Sequence, residues 1–167
     1  MVKFLYGVQM LDKKIIKDFN NSPVSYEDFI SIAKKFDSNG YSTFIGTDSQ
    51  HCKMHVSIVT SICFHNTTIG GSKIFYIKEK KSKSLYPTLR SRMLDEAYRS
   101  VEVAIELDKI LNGQLTVHLD IGDDIIKNKT SKFNKELQML VRGQGFDCAI
   151  KPDSWASTTV ADKLTKN

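Results

Sequence analysis

The hydrophobic period of this chain changes near Leu89, and that change limits the folds open to it. Before it, residues 42–48, 55–66 and 72–80 read as three successive strands, apolar or alternating, joined by short polar links. "TTIGG" (67–71) is a turn signal between the second and third. After the change, apolar residues recur at helical spacing from Leu89 to Leu111, with Gly113 as the stop. Strand and helix then alternate: strand 115–122, helix 131–145, strand 146–152 and helix 154–166. An additional helix over 25–36 precedes them all. Ser25 and Asp28 form its N-terminal cap, and Phe29, Ile32, Ala33 and Phe36 share one face. This order predicts an α/β chain with a five-stranded mixed sheet, three antiparallel strands followed by alternating helix and strand, covered by helices on both faces. The 167 residues fit a single domain over 1–167, of which 1–24 form an N-terminal extension with room for a short strand.

Acids fall where this pattern least tolerates them. "FIGTDSQ" (44–50) is a strand signal that runs into Asp48, and an unpaired carboxylate buried there would cost several kcal/mol, on the order of a folded domain's whole margin. Asp120 ends "LTVHL" in the same way. Strand alternation puts Thr116, His118 and Asp120 on one face, with Val117 and Leu119 on the other. On the long helix, Met93, Ala97, Ser100, Val103, Ala104 and Leu107 fall within about 80° of Leu89 at 100° per residue. Glu96 sits inside that apolar stripe, while Glu102, Glu106 and Asp108 fall on the solvated side or its margin. Asp162, in the last helix, shares a face with Trp155, Thr158 and Thr159, and Asp153 reads as that helix's cap. Turn aspartates at 48 and 120, and a Glu96 that snorkels from the helix's first turns, would give the same pattern without a site.

If Asp48, Glu96, Asp120 and Asp162 do gather, their mutual repulsion calls for cations between them. Mg²⁺ or Mn²⁺ are the expected cofactors, because hard ions take oxygen ligands and a pair of them hydrolyses phosphodiesters. Histidine does not compete for this role. His51 and His55 flank Cys52 in a turn region without a four-ligand zinc set, and His118 reads as a hydrogen-bonded core residue or a group that orients a carboxylate.

The charge balance admits a polyanionic partner. The chain carries a formal +5 and a pI near 9.0, and "IKEKKSKSLYPTLRSR" (77–92) sets Lys80, Lys81, Lys83, Arg90 and Arg92 against a single Glu79 just before the Glu96 helix. Those five are the candidates for the nucleic-acid backbone, with a plain solvated face as the alternative. No apolar run approaches the length of a membrane span, and "MVKFLYGVQML" lacks the centre and cleavage site of an export signal. Cys52, Cys63 and Cys148 form no CxxC pair, so reduced thiols in the cytoplasm are expected.

"IGTDSQ", "HLDIG" and "KPDSWASTTVADKLTK" together resemble a bacterial family of predicted ribonuclease H-like nucleases, over roughly residues 25–166. The resemblance implies the ribonuclease H-like fold. It also implies two metal ions bridged by Asp48, held as a pair by Glu96 and Asp120, and completed at the second site by Asp162. The reaction so implied is hydrolysis of RNA, DNA, a hybrid or a junction to a 3′-hydroxyl and a 5′-phosphate. Ribonuclease H itself usually has "DGS" where this chain has "DSQ", so hybrid specificity does not carry over. A catalytically silent nucleic-acid-binding module and a nucleotide phosphohydrolase are the alternatives of other classes. Against the second, 167 residues leave no room for a duplicated domain.

Overall fold

The structure, a computed structural model, describes residues 10–124 and 129–166, so the reading of the first residues as lacking an export signal falls largely outside it. Three ten-residue strands form its centre: β3 (Ser42–His51), β4 (Val56–His65) and β5 (Ser72–Lys81). They pair antiparallel along their full lengths, from Ser42 opposite His65 to His51 opposite Val56, and from Val56 opposite Lys81 to His65 opposite Ser72. Gly70 and Gly71 take the positive φ angles that the 67–71 turn demands. On the other edge of β3, β6 (Leu115–His118) and then β7 (Asp147–Ala149) add in parallel. Each returns through a helix, α2 (Leu89–Asp108) before β6 and α3 (Asn134–Gly143) before β7. The α/β class and the mixed sheet are as the sequence pattern predicts.

The strand count is not. Among the described residues the sheet has seven strands: with β1 (Ile16–Asp18) and β2 (Pro23–Val24) the order is β2-β1-β5-β4-β3-β6-β7. This additional pair comes from the N-terminal extension and lies along β5, with Ile16 opposite Ile77. Strands of three and two residues carry no period to read. They form because β5 presents an unpaired edge, and pairing satisfies its amides and carbonyls.

Three helices cover one face. Phe29 and Ala33 of α1 (Tyr26–Ser38), Met93, Ala97, Val101 and Leu107 of α2, and Leu137 and Val141 of α3 pack on Ile45, Ile62, Phe75 and Val117. Ser25 caps α1 through the Asp28 amide, as its spacing predicts. The opposite face is covered by the last helix, a π-helical segment Ala156–Ala161 that runs into α4 (Asp162–Thr165), with Ala161 and Leu164 against Val59 and Tyr76. No side chain caps this helix, so Asp153 does not have the role expected of it.

One helical position departs from the wheel. Glu106 was placed among solvated acids, yet it is buried, and its carboxylate accepts the Met10 and Leu11 amides and the Tyr26 hydroxyl. The N-terminal extension folds over that side of α2 and takes it out of solvent.

Candidate active site

The parallel pairing of β3 and β6 sets the geometry. Gly46 lies opposite His118, so two residues further on Asp48 and Asp120 follow in matching order on one face. β3 runs three residues beyond Asp48 to His51, and β6 stops two residues before Asp120. The first acid is therefore held inside a paired strand, and the second leaves on the loop where the strands part. Ser49 points to the opposite face, toward α2, and its hydroxyl donates to Glu96 Oε1. Asp162 arrives from the far side with the last helix. In the next turn, Thr165 Oγ1 lies 2.7 Å from the Asp162 carbonyl and 3.3 Å from Asp48 Oδ2.

The acids sense one another. Burial pushes the Asp48 carboxyl up to about 6, and the charges of Asp120 and Asp162 add to the rise, against the pull of the Ser49 amide and the Thr165 hydroxyl. Glu96 rises further, to about 8, chiefly by burial. Asp48 and Asp120 push it the same way, while the Ser49 hydroxyl and the Arg92 charge oppose. These interactions link Asp48 to each of Glu96, Asp120 and Asp162. A turn aspartate would have water to relieve it, and Asp48, at 8% exposure, has little; Glu96 is half-buried beside it rather than reaching out into solvent.

Two lysines stand on the outer acids. Lys151 Nζ lies 2.7 Å from Asp120 Oδ1, and Lys166 Nζ lies 2.6 Å from Asp162 Oδ2. With the side chains so placed, no three His, Cys, Asp or Glu residues among the described ones are grouped to hold a metal ion. The donor set nonetheless suits a hard cation: four carboxylates, with Asp48 in electrostatic contact with each of the other three, and a shielded Asp120 Oδ1 whose one close partner is Lys151. Asp48, Glu96, Asp120 and Asp162 suit Mg²⁺ or Mn²⁺ by charge and donor type.

The five basic candidates divide. Arg90 is tied to Glu136, and Lys81 lies 3.5 Å from Glu79, which also holds Lys14 and Arg99. Arg92 reaches the site: its Nη1 lies 3.4 Å from the Ser49 carbonyl and its charge acts on Glu96. His51 is made a weaker base by its burial and by the Arg92 and Lys83 charges, which places Lys83 on the same rim. Lys80 and Lys83 are exposed.

His118 belongs to the support of the site. Its buried ring accepts the Ala156 amide at Nδ1 (3.1 Å) and packs between Phe44 and Trp155. Burial lowers it to about 4, so the ring is neutral and free to accept. Ser49, Thr165 and Lys151 are contacts that sequence reading did not single out. Only Ser49 carried a signal, as the residue of "DSQ" that alternation turns away from Asp48.

The profile of the family described as Ribonuclease H-like matches residues 25–166. Among curated proteins the chain is similar to "Uncharacterized protein YkuK" of Bacillus subtilis (strain 168), 26% identical over 177 residues that cover 94% of this chain and 100% of that protein. No solved structure matches.

Proposed function

The chain belongs to the ribonuclease H-like family, and on that premise we propose that it is a divalent-metal-dependent nuclease that hydrolyses phosphodiester bonds of nucleic acid. The observation that carries this reading is Asp48: a buried acid raised to about 6 by burial and by two further carboxylates delivered from different elements. A fold maintains such repulsion at a cost in stability, and function is the usual return. Asp48, Glu96, Asp120 and Asp162 would hold two Mg²⁺ or Mn²⁺ ions. Bound there, the ions would supply the positive charge that activates water and stabilises the leaving oxygen.

The remaining work falls to the chain's own groups. Ser49 ties the Glu96 carboxylate to β3, Thr165 couples the last helix to Asp48, and β3 holds Asp48 rigid within a full ladder. Arg92, Lys83 and Lys80 would take backbone phosphates in sequence-independent contacts. The single domain over 1–167 belongs to this proposal. So does a place in the cytoplasm, supported by three free thiols, Cys52, Cys63 and Cys148. Among the described residues no helix is long and apolar enough to cross a membrane.

The test is cleavage of end-labelled RNA, DNA, hybrid and junction substrates with Mg²⁺ or Mn²⁺. Asp48→Asn should lose about a hundredfold or more in rate while keeping its fold. Undiminished cleavage by the Asp48→Asn, Asp120→Asn double variant would rule the reading out. A second reading, a binding module without catalysis, has the two lysines on Asp120 and Asp162 in its favour. It predicts nucleic-acid binding by the wild type with no uptake of Mn²⁺ in calorimetry.

A further inference from the structure

Lys151 and Lys166 are not equivalent. Lys166 pairs with Asp162 one helical turn away, both side chains well exposed, a local surface contact of little consequence. Lys151 is brought to Asp120 from 31 positions further along the chain. Its backbone amide donates to the Ile121 carbonyl at 2.8 Å, and the Leu119 amide donates to the Ala149 carbonyl at 2.9 Å. These bonds stitch the segment after β7 to both sides of Asp120. The fold thus fixes the Lys151 main chain beside Asp120, and its ammonium lies 2.7 Å from Oδ1, a carboxylate oxygen of the cluster that is shielded from solvent and has no other hydrogen-bond partner. An ammonium 2.7 Å from that oxygen, which is otherwise shielded, competes with any second cation for it.

We infer that Lys151 is a built-in counter-cation of the acid cluster, whose ammonium holds the Asp120 edge and which a divalent ion must displace in order to bind. The inference rests on the metal-dependent reading above and deepens it. Carboxylates that act on one another repel, and a lysine paired with Asp120 relieves part of that repulsion while no metal is bound. The same lysine then sets a threshold on metal affinity, because each binding event includes the loss of the Lys151–Asp120 pair.

The experiment is calorimetric titration of Mn²⁺ alone, without nucleic acid, into wild type, Lys151→Met and Lys151→Arg. Lys151→Met keeps the apolar stem and removes the charge, and should bind Mn²⁺ about three- to fivefold more tightly, the worth of a half-exposed ion pair. Lys151→Arg keeps the charge and should stay within about twofold of wild type. The gain should persist at about 0.5 M KCl, where general attraction of cations to a less positive protein is screened but a direct competitor is not. Equal affinity in all three proteins, weaker binding by Lys151→Met, or a gain that disappears in high salt overturns the inference and leaves the metal site intact. Failure of all three to bind Mn²⁺ overturns the metal reading itself. If circular dichroism shows Lys151→Met unfolded, Lys151→Gln replaces it in the same comparison.

Discussion

Asp48 and Glu96 ordinarily ionise near 3.8 and 4.5, and here they do so near about 6 and about 8. Between the ordinary and the raised values the unfolded chain gives up protons that the folded chain keeps, so rising pH favours unfolding. Each such proton is worth about 1.4 kcal/mol per pH unit. Without divalent ions, stability should therefore fall from about pH 4 to about pH 8, with the deficit from these groups complete above that. Thermal melts in chelator should show a lower Tm at about pH 8 than at about pH 5.5. Glu96→Gln should flatten most of that slope and melt above wild type at the alkaline end. An unchanged slope in Glu96→Gln would place the burden elsewhere. Glu96 was legible in the sequence because it interrupts an apolar stripe that its own helix defines. Glu106 was not, because its burial depends on amides almost a hundred positions earlier, and a wheel contains only the helix's own residues. Lys151 was illegible for the same reason: its partner is chosen by the pairing of β6 with β7.

The element that completes the site is the last helix, and its docking depends on a missing side chain. A Cβ on Gly46 would stand 2.4 Å from the Ser157 nitrogen and 2.7 Å from the Ala156 carbonyl carbon, both backbone atoms that cannot swing aside. Around that contact Ser61 Oγ donates to the Ala156 carbonyl at 2.8 Å, His118 accepts the Ala156 amide, and the Trp155 ring lies against Phe44 and His65. Polar bonds and close approach seat the helix start, and the seat in turn carries Asp162 and Thr165 to Asp48. Gly46→Ala should cost about 1–3 kcal/mol in denaturant unfolding and push the helix off the sheet. The same variant should lose Mn²⁺ affinity although it alters no carboxylate. A Gly46→Ala protein with wild-type stability would show that the helix does not need this approach. The long elements β3, β4, β5, α2 and α3 could be read from period alone, within a few residues of their ends. The π-helical start of the last helix and the three residues by which β3 outruns Asp48 could not. Both are set by what packs against them, and a strand signal that stops at a polar run cannot tell an end from a ladder that continues under cover.

At the scale of the whole molecule, the acids collect where β3 and β6 part, and the basic rim of Arg92 and Lys83 borders the same end. The formal +5 is a poor guide to how a polyanion would bind, because part of the basic run is already spent on internal pairs. Lys81 and Arg90 have Glu79 and Glu136, whereas Lys80 and Lys83 are exposed and Arg92 reaches the Ser49 carbonyl, so on the proposed function these three are the members of the run left to meet a backbone. Three phosphate contacts give a slope of log affinity against log salt of about −2 on single strands and about −2.7 on duplex. Fluorescence anisotropy with Asp48→Asn in chelator measures that slope without cleavage. In that background Arg92→Ala should reduce its magnitude by about 0.7–0.9, the share of one phosphate contact, and weaken binding to every sequence alike. Arg90→Ala should leave the slope where it was, since its charge is engaged by Glu136 and not by the ligand. Equal flattening by the two substitutions would mean that the nucleic acid takes Arg90 from Glu136, and that the binding track runs along the outer face of α2 and away from the acids.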